Sequence, residues 1–543
     1  MQPTYHVPVT RTTDADVGAV AEPEPTPPPA EPTPDVRSRL VRPMPRDGIW
    51  GWLGPLFVGT VAAVLRLVDL GRPNKFIFDE TYYAKDAYSL LRFGDARAFV
   101  EGADERILAG DVDVFTDQPS FVVHPTIGKW LIALGIRLVG MEPLGWRLAT
   151  AVAGIITVVI VARAGRRLFR STLLGTTAGL LLAVDGMSIT LSRTAVLDGI
   201  LAMFIVAAFA CLLVDRDRAR AKYADWAESG SDRSPLFAWR PWRLAAGVLL
   251  GLACGTKWSG LYALAVFGVL TICWEVGARR AAKQESPVRT TVLRDGPVAF
   301  VTIVGSAAVV YLGSWTGWIL GDDGWSRSWA ALKPATGIGE FVPNWLRSLW
   351  HYHWEMWHFH SGLATPHDYA SDAWGWLLLA RPVSFDYTSL ERGQQGCPVD
   401  KCSQAVLALG TPLLWWSACI AIAVCLWLWL TKRDWRAGAI LAGLLATWVP
   451  WLFFANRTTF AFYAVAIAPF LVLAVAYVLG LILGPPEAGS SRRMWGAAIA
   501  GAYVLAVVVI AAWFYPIHVD ATIPFDDWLR RMWFRGPGQW NWV

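Results

Sequence analysis

Charge is what this chain has least of: Asp, Glu, Lys and Arg make up 17% of its 543 residues, against 55% hydrophobic. A soluble domain carries about a quarter charged residues, so a soluble enzyme is excluded. An excess of one sign is also missing. The 48 basic and 43 acidic residues leave a net charge of +5, and the basic residues cluster near the ends of apolar runs, which excludes nucleic-acid binding and fits membrane orientation. Cysteine is scarce, at seven, and Cys211, Cys254, Cys273, Cys419 and Cys425 fall inside apolar runs, where they serve as small apolar residues. No cleavable signal peptide is visible. Residues 1–47 are polar and proline-rich, as in EPEPTPPPAEPTP, and are expected to form a disordered cytoplasmic tail.

What is present in abundance is long apolar sequence and tryptophan, 32 in all. A bilayer-crossing helix needs about 20 apolar residues. The spans read at 49–70, 146–164, 172–190, 194–214, 241–256, 257–277, 297–318, 407–430, 436–455, 458–484 and 494–514. The expected fold class is an all-α polytopic membrane protein with about eleven transmembrane helices. The segment 124–140, HPTIGKWLIALGIRLVG, is short and carries His124, Lys129 and Arg137, so it reads as a helix lying in the outer interface. With it flat, the clusters at Arg37–Arg46, Arg163–Arg170, Arg216–Lys222, Arg279–Lys283, Lys432–Arg436 and Arg492–Arg493 fall on one side, the cytoplasm. The N-terminus is then inside. Loops 71–145 and 319–406 lie outside, and 516–543 forms an extracytoplasmic tail at the interface.

The outer face collects the residues with chemical potential. Asp79 and Glu80 open a helix, FDETYYAKDAYSLLRFG, in which Asp79 is placed as the cap and Gly94 as the end; an acidic pair there suits a general base. Arg147, Arg193, Lys257 and Arg457 come from four helix ends. Each alone reads as an interfacial cation; together they suggest a pocket for an anion such as a lipid phosphate. Asp185 and Asp198 read as structural partners for Arg193. The stretch HYHWEMWHFHSGLATPH at 351–367 leaves three readings open: a metal site, an aromatic and imidazole surface for sugar or phosphate, or an amphipathic interfacial helix. Cys397 and Cys402, close together in an outer, oxidising loop, are expected to form a disulfide.

FDETYYAKDAY (78–88), HPTIGKW (124–130), SRTAVLDGI (192–200), GTKWSGLY (255–262) and, most narrowly, WHYHWEMWHFHSGLATPHDYASDAWGWLLLARPV (350–383) resemble the bacterial, polyprenyl-phosphate-mannose type of protein O-mannosyltransferase, glycosyltransferase family 39. The resemblance covers about 49–515. It implies a GT-C membrane fold, with 48–515 as the catalytic domain. It also implies transfer of mannose from polyprenyl-phosphate-mannose to Ser or Thr hydroxyls of secreted proteins, outside the cytoplasm and at the plasma membrane. The β-trefoil domain that eukaryotic members insert is missing, because 319–406 is too short for it.

In such a reaction the leaving group is a phosphate, so no general acid is needed. One carboxylate must take the hydroxyl proton and cations must stabilise the departing anion. The expectation is Asp79 as base of an inverting displacement, with Glu80 orienting Asp79, a substrate group or a cation. Arg147, which matches the family's arginine after the interfacial helix, and Lys257, Arg193, Lys129 and Arg457, placed by topology, are expected at the donor phosphate. His124, His353, His360 and Arg381 are expected to contact acceptor or sugar. No cofactor or metal is expected. Expected partners are the lipid donor, secreted acceptors, membrane lipid and the protein export machinery. A GT-C enzyme with a glycolipid acceptor is the alternative. A transporter is disfavoured, because charges cluster at one surface and no repeat is visible.

Overall fold

The computed structural model describes residues 4–10, 35–231, 233–454, 456–536, 538 and 540–543. The apolar runs are helical: α1 Val36–Leu40, α2 Trp50–Leu67, α3 Glu80–Phe93, α4 Ala103–Leu108, α5 Ile127–Val139, α6 Pro143–Phe169, α7 Thr172–Ala183, α8 Gly186–Ser192, α9 Leu197–Glu228, α10 Pro241–Cys254 and α11 Gly260–Ala281. They continue with α12 Pro287–Gly313, α13 Asn344–Gly362, α14 Pro412–Lys432, α15 Trp435–Thr447, α16 Ala468–Leu483 and α17 Ser490–Phe514. Every span read from the sequence overlaps one of these helices. Among the described residues, seven helices (α2, α6, α9, α11, α12, α14 and the one beginning at Ser490) are long and apolar enough to cross a membrane, and the pair α7 and α8, bent by 63°, makes an eighth. The helices α10, α15 and α16 are shorter. Pro450, just past the end of α15, and a 3₁₀ segment at Ala461–Ala466 before α16 break those runs.

The chain is mostly helical rather than all-α. Strands β1 Arg97–Phe99 and β2 Phe115–Pro119 pair between α3 and α5, and β3 Val383–Glu391 and β4 Lys401–Ala408 form a hairpin between α13 and α14. The run VSFDYTSLE in β3 is rich in β-branched and aromatic residues, a strand signal that an apolar-helix search passes over. Cys397 and Cys402 are joined by a disulfide at its closed end. The C-terminal tail, expected to lie along the interface, is folded back onto this hairpin. Its strand β5 Ile523–Pro524 pairs with Cys402 and Ser403, and Trp542 is buried, donating its indole N–H to the Leu379 carbonyl at 2.7 Å.

The N-terminal tail also departs from expectation in part. Residues 11–34 lie outside the described residues, but α1 packs Leu40 against Tyr223, Ala224, Ala278 and Ala282, and Arg37 pairs with Asp225 and Glu228 at 2.6 Å. An apolar anchor flanked by arginines is enough to fix a segment that composition alone calls polar. In the bundle, α6 packs closely on α7, and a Cβ at Gly175 would lie 2.4 Å from the Ala162 carbonyl oxygen. This is the small-residue contact that draws apolar helices together where no hydrophobic force between them exists.

Candidate active site

The chain turns sharply at Phe78, whose φ of +48° is left-handed and strained for a bulky residue. Its ring is clamped by a stacked Phe385 at 4.6 Å and an edge-on Phe462 at 5.4 Å, which holds the turn. Asp79 stands at the N-cap position of α3 but makes no cap hydrogen bond, contrary to expectation. Its own backbone is already helical, so its carboxyl is free to look elsewhere. Gly94 ends the helix with φ +82° as expected.

The two neighbouring carboxylates meet opposite environments. Glu80 is fully buried. It accepts from Arg147 at 2.8 and 2.7 Å, from the Ala195 amide at 2.9 Å and from the Ile77 amide at 3.2 Å. Arg147 spends its other N–H groups on the carbonyls of Leu70, Pro73 and Lys75. This clip ties α3 to α6 and to the turn before α9. Asp79, half-buried, has no such partner. Burial pushes its pKa up to about 6 from the ordinary 3.8, with Asp198 adding to the rise, while Lys257 and the hydroxyl of Tyr83 pull it down.

Beside Asp79, the Lys257 ammonium is held between the two oxygens of Asp198 at 2.9 and 3.0 Å and lies 4.2 Å from the centre of the Tyr463 ring. Asp198 was expected to pair with Arg193 and does not. Asp185 does not either: it caps α8 at Ser188 and accepts from Thr411 and Trp415. Arg193 instead donates to the carbonyls of Arg66, Val68 and Asp69 at 2.7–3.0 Å, completing the C-terminal end of α2, where orphan carbonyls favour a cation.

Lys257 opens onto a cavity of about 160 Å³ whose wall includes His124, Trp258, His360, Trp451 and Arg457. Trp357, His360 and Ser361 of α13 form one side, so the segment between α12 and α14 walls the site. His360 stacks on His124 at 4.9 Å and donates from Nε2 to the Val123 carbonyl at 2.7 Å, which leaves Nδ1 as the acceptor facing an Arg457 N–H at 3.5 Å. Burial pushes His360 down to about 4 and His124 well below its usual value, with the charges of Lys257 and Arg457 acting the same way. Both rings are therefore neutral at pH 7. His124 Nδ1 is buried with no hydrogen-bond partner among the described residues. A hollow of only about 10 Å³, lined by Asp198, Leu201, Ile205 and Tyr463 among others, shares Ser259, Tyr262 and Trp451 with the first.

Of the expected site residues, the structure thus gathers Asp79, Lys257, His124, His360 and Arg457. His353 sits one layer behind, bonded to Tyr311 at 2.7 Å and stacked on Trp258. Lys129 pairs with Asp86 at 3.0 Å and bonds the His124 carbonyl at 3.2 Å, supporting the wall from outside it. Arg147 and Arg193 are sealed in the clips described. Arg381 is remote, holding the carbonyls of Asn541 and Val543. No group of three or more His, Cys, Asp or Glu side chains placed to hold a metal ion occurs among the described residues. Sequence reasoning missed Asp198 as the partner of Lys257, and Tyr463. The signal for Asp198 was there: two opposite charges at outer ends of apolar helices must neutralise one another. Tyr463 carried no signal in so aromatic a chain.

A family model described as dolichyl-phosphate-mannose-protein mannosyltransferase matches residues 142–289, and one for the C-terminal four TMM region of protein-O-mannosyltransferase matches 345–537. The chain is 38% identical over 535 residues to a polyprenol-phosphate-mannose–protein mannosyltransferase of Mycolicibacterium smegmatis, covering 96% of this chain and 98% of that one. It is 37% identical to that of Mycobacterium tuberculosis, with 90% and 92% covered. Among solved structures, a chain of the S. cerevisiae protein O-mannosyltransferase Pmt1-Pmt2 complex bound to the sugar donor superposes with a TM-score of 0.69. The two chains share 14% identity, with 92% and 94% covered.

Proposed function

Because the chain belongs to the protein O-mannosyltransferase family of membrane glycosyltransferases, we propose that it moves mannose from polyprenyl-phosphate-mannose to Ser or Thr hydroxyls of secreted proteins by a single inverting displacement, with Asp79 as the base. The observation that carries this reading is a half-buried carboxyl without an ion pair among the described residues, set beside Lys257, which opens with Arg457 onto one cavity; burial pushes that carboxyl up to about 6. A general base works best with a pKa near the operating pH. Donor phosphate rests against Arg457 and Lys257, with neutral His360 and His124 offering further polar contacts. The polyprenyl chain leaves along the apolar side of the same cavity, past Leu261, Trp451 and Phe454. As the acceptor oxygen bonds to the sugar's C1, the C1–O bond to phosphate breaks, Asp79 takes the hydroxyl proton, and polyprenyl phosphate leaves as an anion. No step requires a metal.

The site faces the outside in this reading. Both ends of α5 stay on one face: His124 before it stacks on His360, and Arg147 after it binds Glu80. Thirteen residues span about 20 Å, short of the roughly 30 Å hydrocarbon core. With α5 flat, Asp79, Lys257, His360 and Arg457 are separated by even numbers of spans, as one shared face demands. The one-sided arginine clusters then lie in the cytoplasm, at the plasma membrane. Association with the export machinery would bring unfolded acceptors to this face.

Membranes holding the protein, given labelled polyprenyl-phosphate-mannose, are expected to label Ser/Thr peptides and not glycolipid, and to keep nearly full activity in EDTA. Label in lipid alone would establish the glycolipid alternative. Activity lost to EDTA and restored by a divalent ion would remove the metal-free mechanism.

A further inference from the structure

The helix α9 starts in the catalytic cavity at Asp198 and reaches Arg216 about 27 Å further along its axis, close to the thickness of a hydrocarbon core. At that far end lies a second cavity, of about 130 Å³, whose wall includes Arg39, Arg42, Arg170, Arg216, Arg220 and Trp435. It adjoins another of about 220 Å³, where Arg436 joins Arg42 and Arg170, against Leu168 and Phe169. Among the described residues, no carboxylate lines either.

The nearby acids are already engaged. Asp217 receives Arg167 and Arg170 at 2.7 and 2.8 Å, with Arg216 only at 3.5 Å. Asp434 serves Arg436 and Tyr477. Arg220 donates to the carbonyls of Leu40 and Arg39. Arg216 is the informative member. It is 8% exposed, its guanidinium lies 3.4 Å over the Trp435 ring, and its Nε is buried with no hydrogen-bond partner among the described residues. Arginines that merely orient a membrane protein extend to water; this one is held inside a cationic hollow. A buried cation with an unfilled donor calls for an anion.

We infer that this hollow binds the phosphate headgroup of an anionic lipid from the leaflet opposite the catalytic cavity. Guanidinium forks match phosphate oxygens, and basic pockets between helices at this depth suit lipid headgroups. Leu168, Phe169 and Trp435 supply the apolar flank an acyl chain needs, which a free phosphate would not use. The inference rests on α9 crossing the membrane but not on the identity of the transferred sugar.

The full-length protein, purified in neutral detergent and stripped of lipid, is titrated with phosphatidylglycerol, phosphatidylcholine or inorganic phosphate while Tm is followed. Phosphatidylglycerol is expected to raise Tm by several degrees and the other two to leave it unchanged. Arg42→Gln, at the exposed rim, is expected to keep the lipid-free Tm and to bind phosphatidylglycerol about tenfold more weakly, the equivalent of one charge-assisted contact. Arg216→Gln is expected to lose the response. An equal rise with phosphatidylcholine, or an Arg42→Gln protein responding like the parent, overturns the site. A full rise with inorganic phosphate alone overturns the lipid as its occupant.

Discussion

Glu80 and Asp79 are neighbours in the chain, and the regions around them use charge in opposite ways. Around Glu80, every strong group is matched: Arg147 meets the carboxylate and three backbone carbonyls, and Arg193 closes the end of α2. Around Asp79, matching is incomplete. Among the described residues the carboxyl has no ion pair of its own, the Arg457 side chain hydrogen-bonds only to His360, and His124 has a bare nitrogen. A buried cation whose N–H groups are all satisfied holds the fold, whereas one with a face left on a cavity is available to a ligand. Cations that look equivalent as interfacial residues divide on this criterion.

The largest expected effect lies on the Asp79 side. Asp79→Asn is expected to lower turnover by about 10²–10⁴, the share of a positioned base, while donor binding is retained. The same variant is expected to melt higher than the parent at pH 8. Burial raises the folded pKa to about 6 from 3.8, so ionisation costs stability above pH 6, and that cost vanishes below about pH 4. Unchanged turnover, or a Tm that falls at pH 8, would break the comparison at its centre.

On the Glu80 side the readout reverses. Arg147→Ala leaves a buried carboxylate unpaired and is expected to lose about 3–5 kcal/mol of stability; a normal Tm with a raised donor KM would instead return Arg147 to the donor phosphate. Arg457→Gln is expected to raise donor KM about tenfold with Tm unchanged. Lys257→Ala should raise donor KM and also lower Tm, because Asp198 loses its partner. Equal acceptor and donor effects in Arg457→Gln would count against a phosphate contact. Smallest near neutrality is the effect of pH: kcat/KM is expected to fall about twofold from pH 7 to 6, steepening toward about tenfold per unit at lower pH as Asp79 protonates, and this limb should be absent in Asp79→Asn.

Much of this was legible beforehand. The apolar runs, the disulfide and the gathering of Asp79, Lys257 and Arg457 follow from length, spacing and the shared sidedness of their charges. What was not legible depends on three-dimensional neighbours. Nothing local tells that Arg147 saturates its donors on a loop seventy residues earlier while Arg457 does not. The pairing of Lys257 with Asp198 rather than Arg193 with Asp198 is settled by which helix ends meet. The β3–β4 hairpin and its tail strand escaped because their signal is short beside twenty-residue apolar helices.

The pairing of Ser403 with Ile523 has a consequence for biogenesis. These residues are 120 positions apart, with α14 to α17 between them. During synthesis the hairpin waits, with one edge unpaired, until the last apolar helix has been delivered. Of the four intervening helices, α14 and α17 are long and apolar enough to cross a membrane and α15 and α16 are shorter. Closure of this small sheet thus comes late, after all four have been made, and a C-terminal half folded wrongly leaves the edge of the hairpin open.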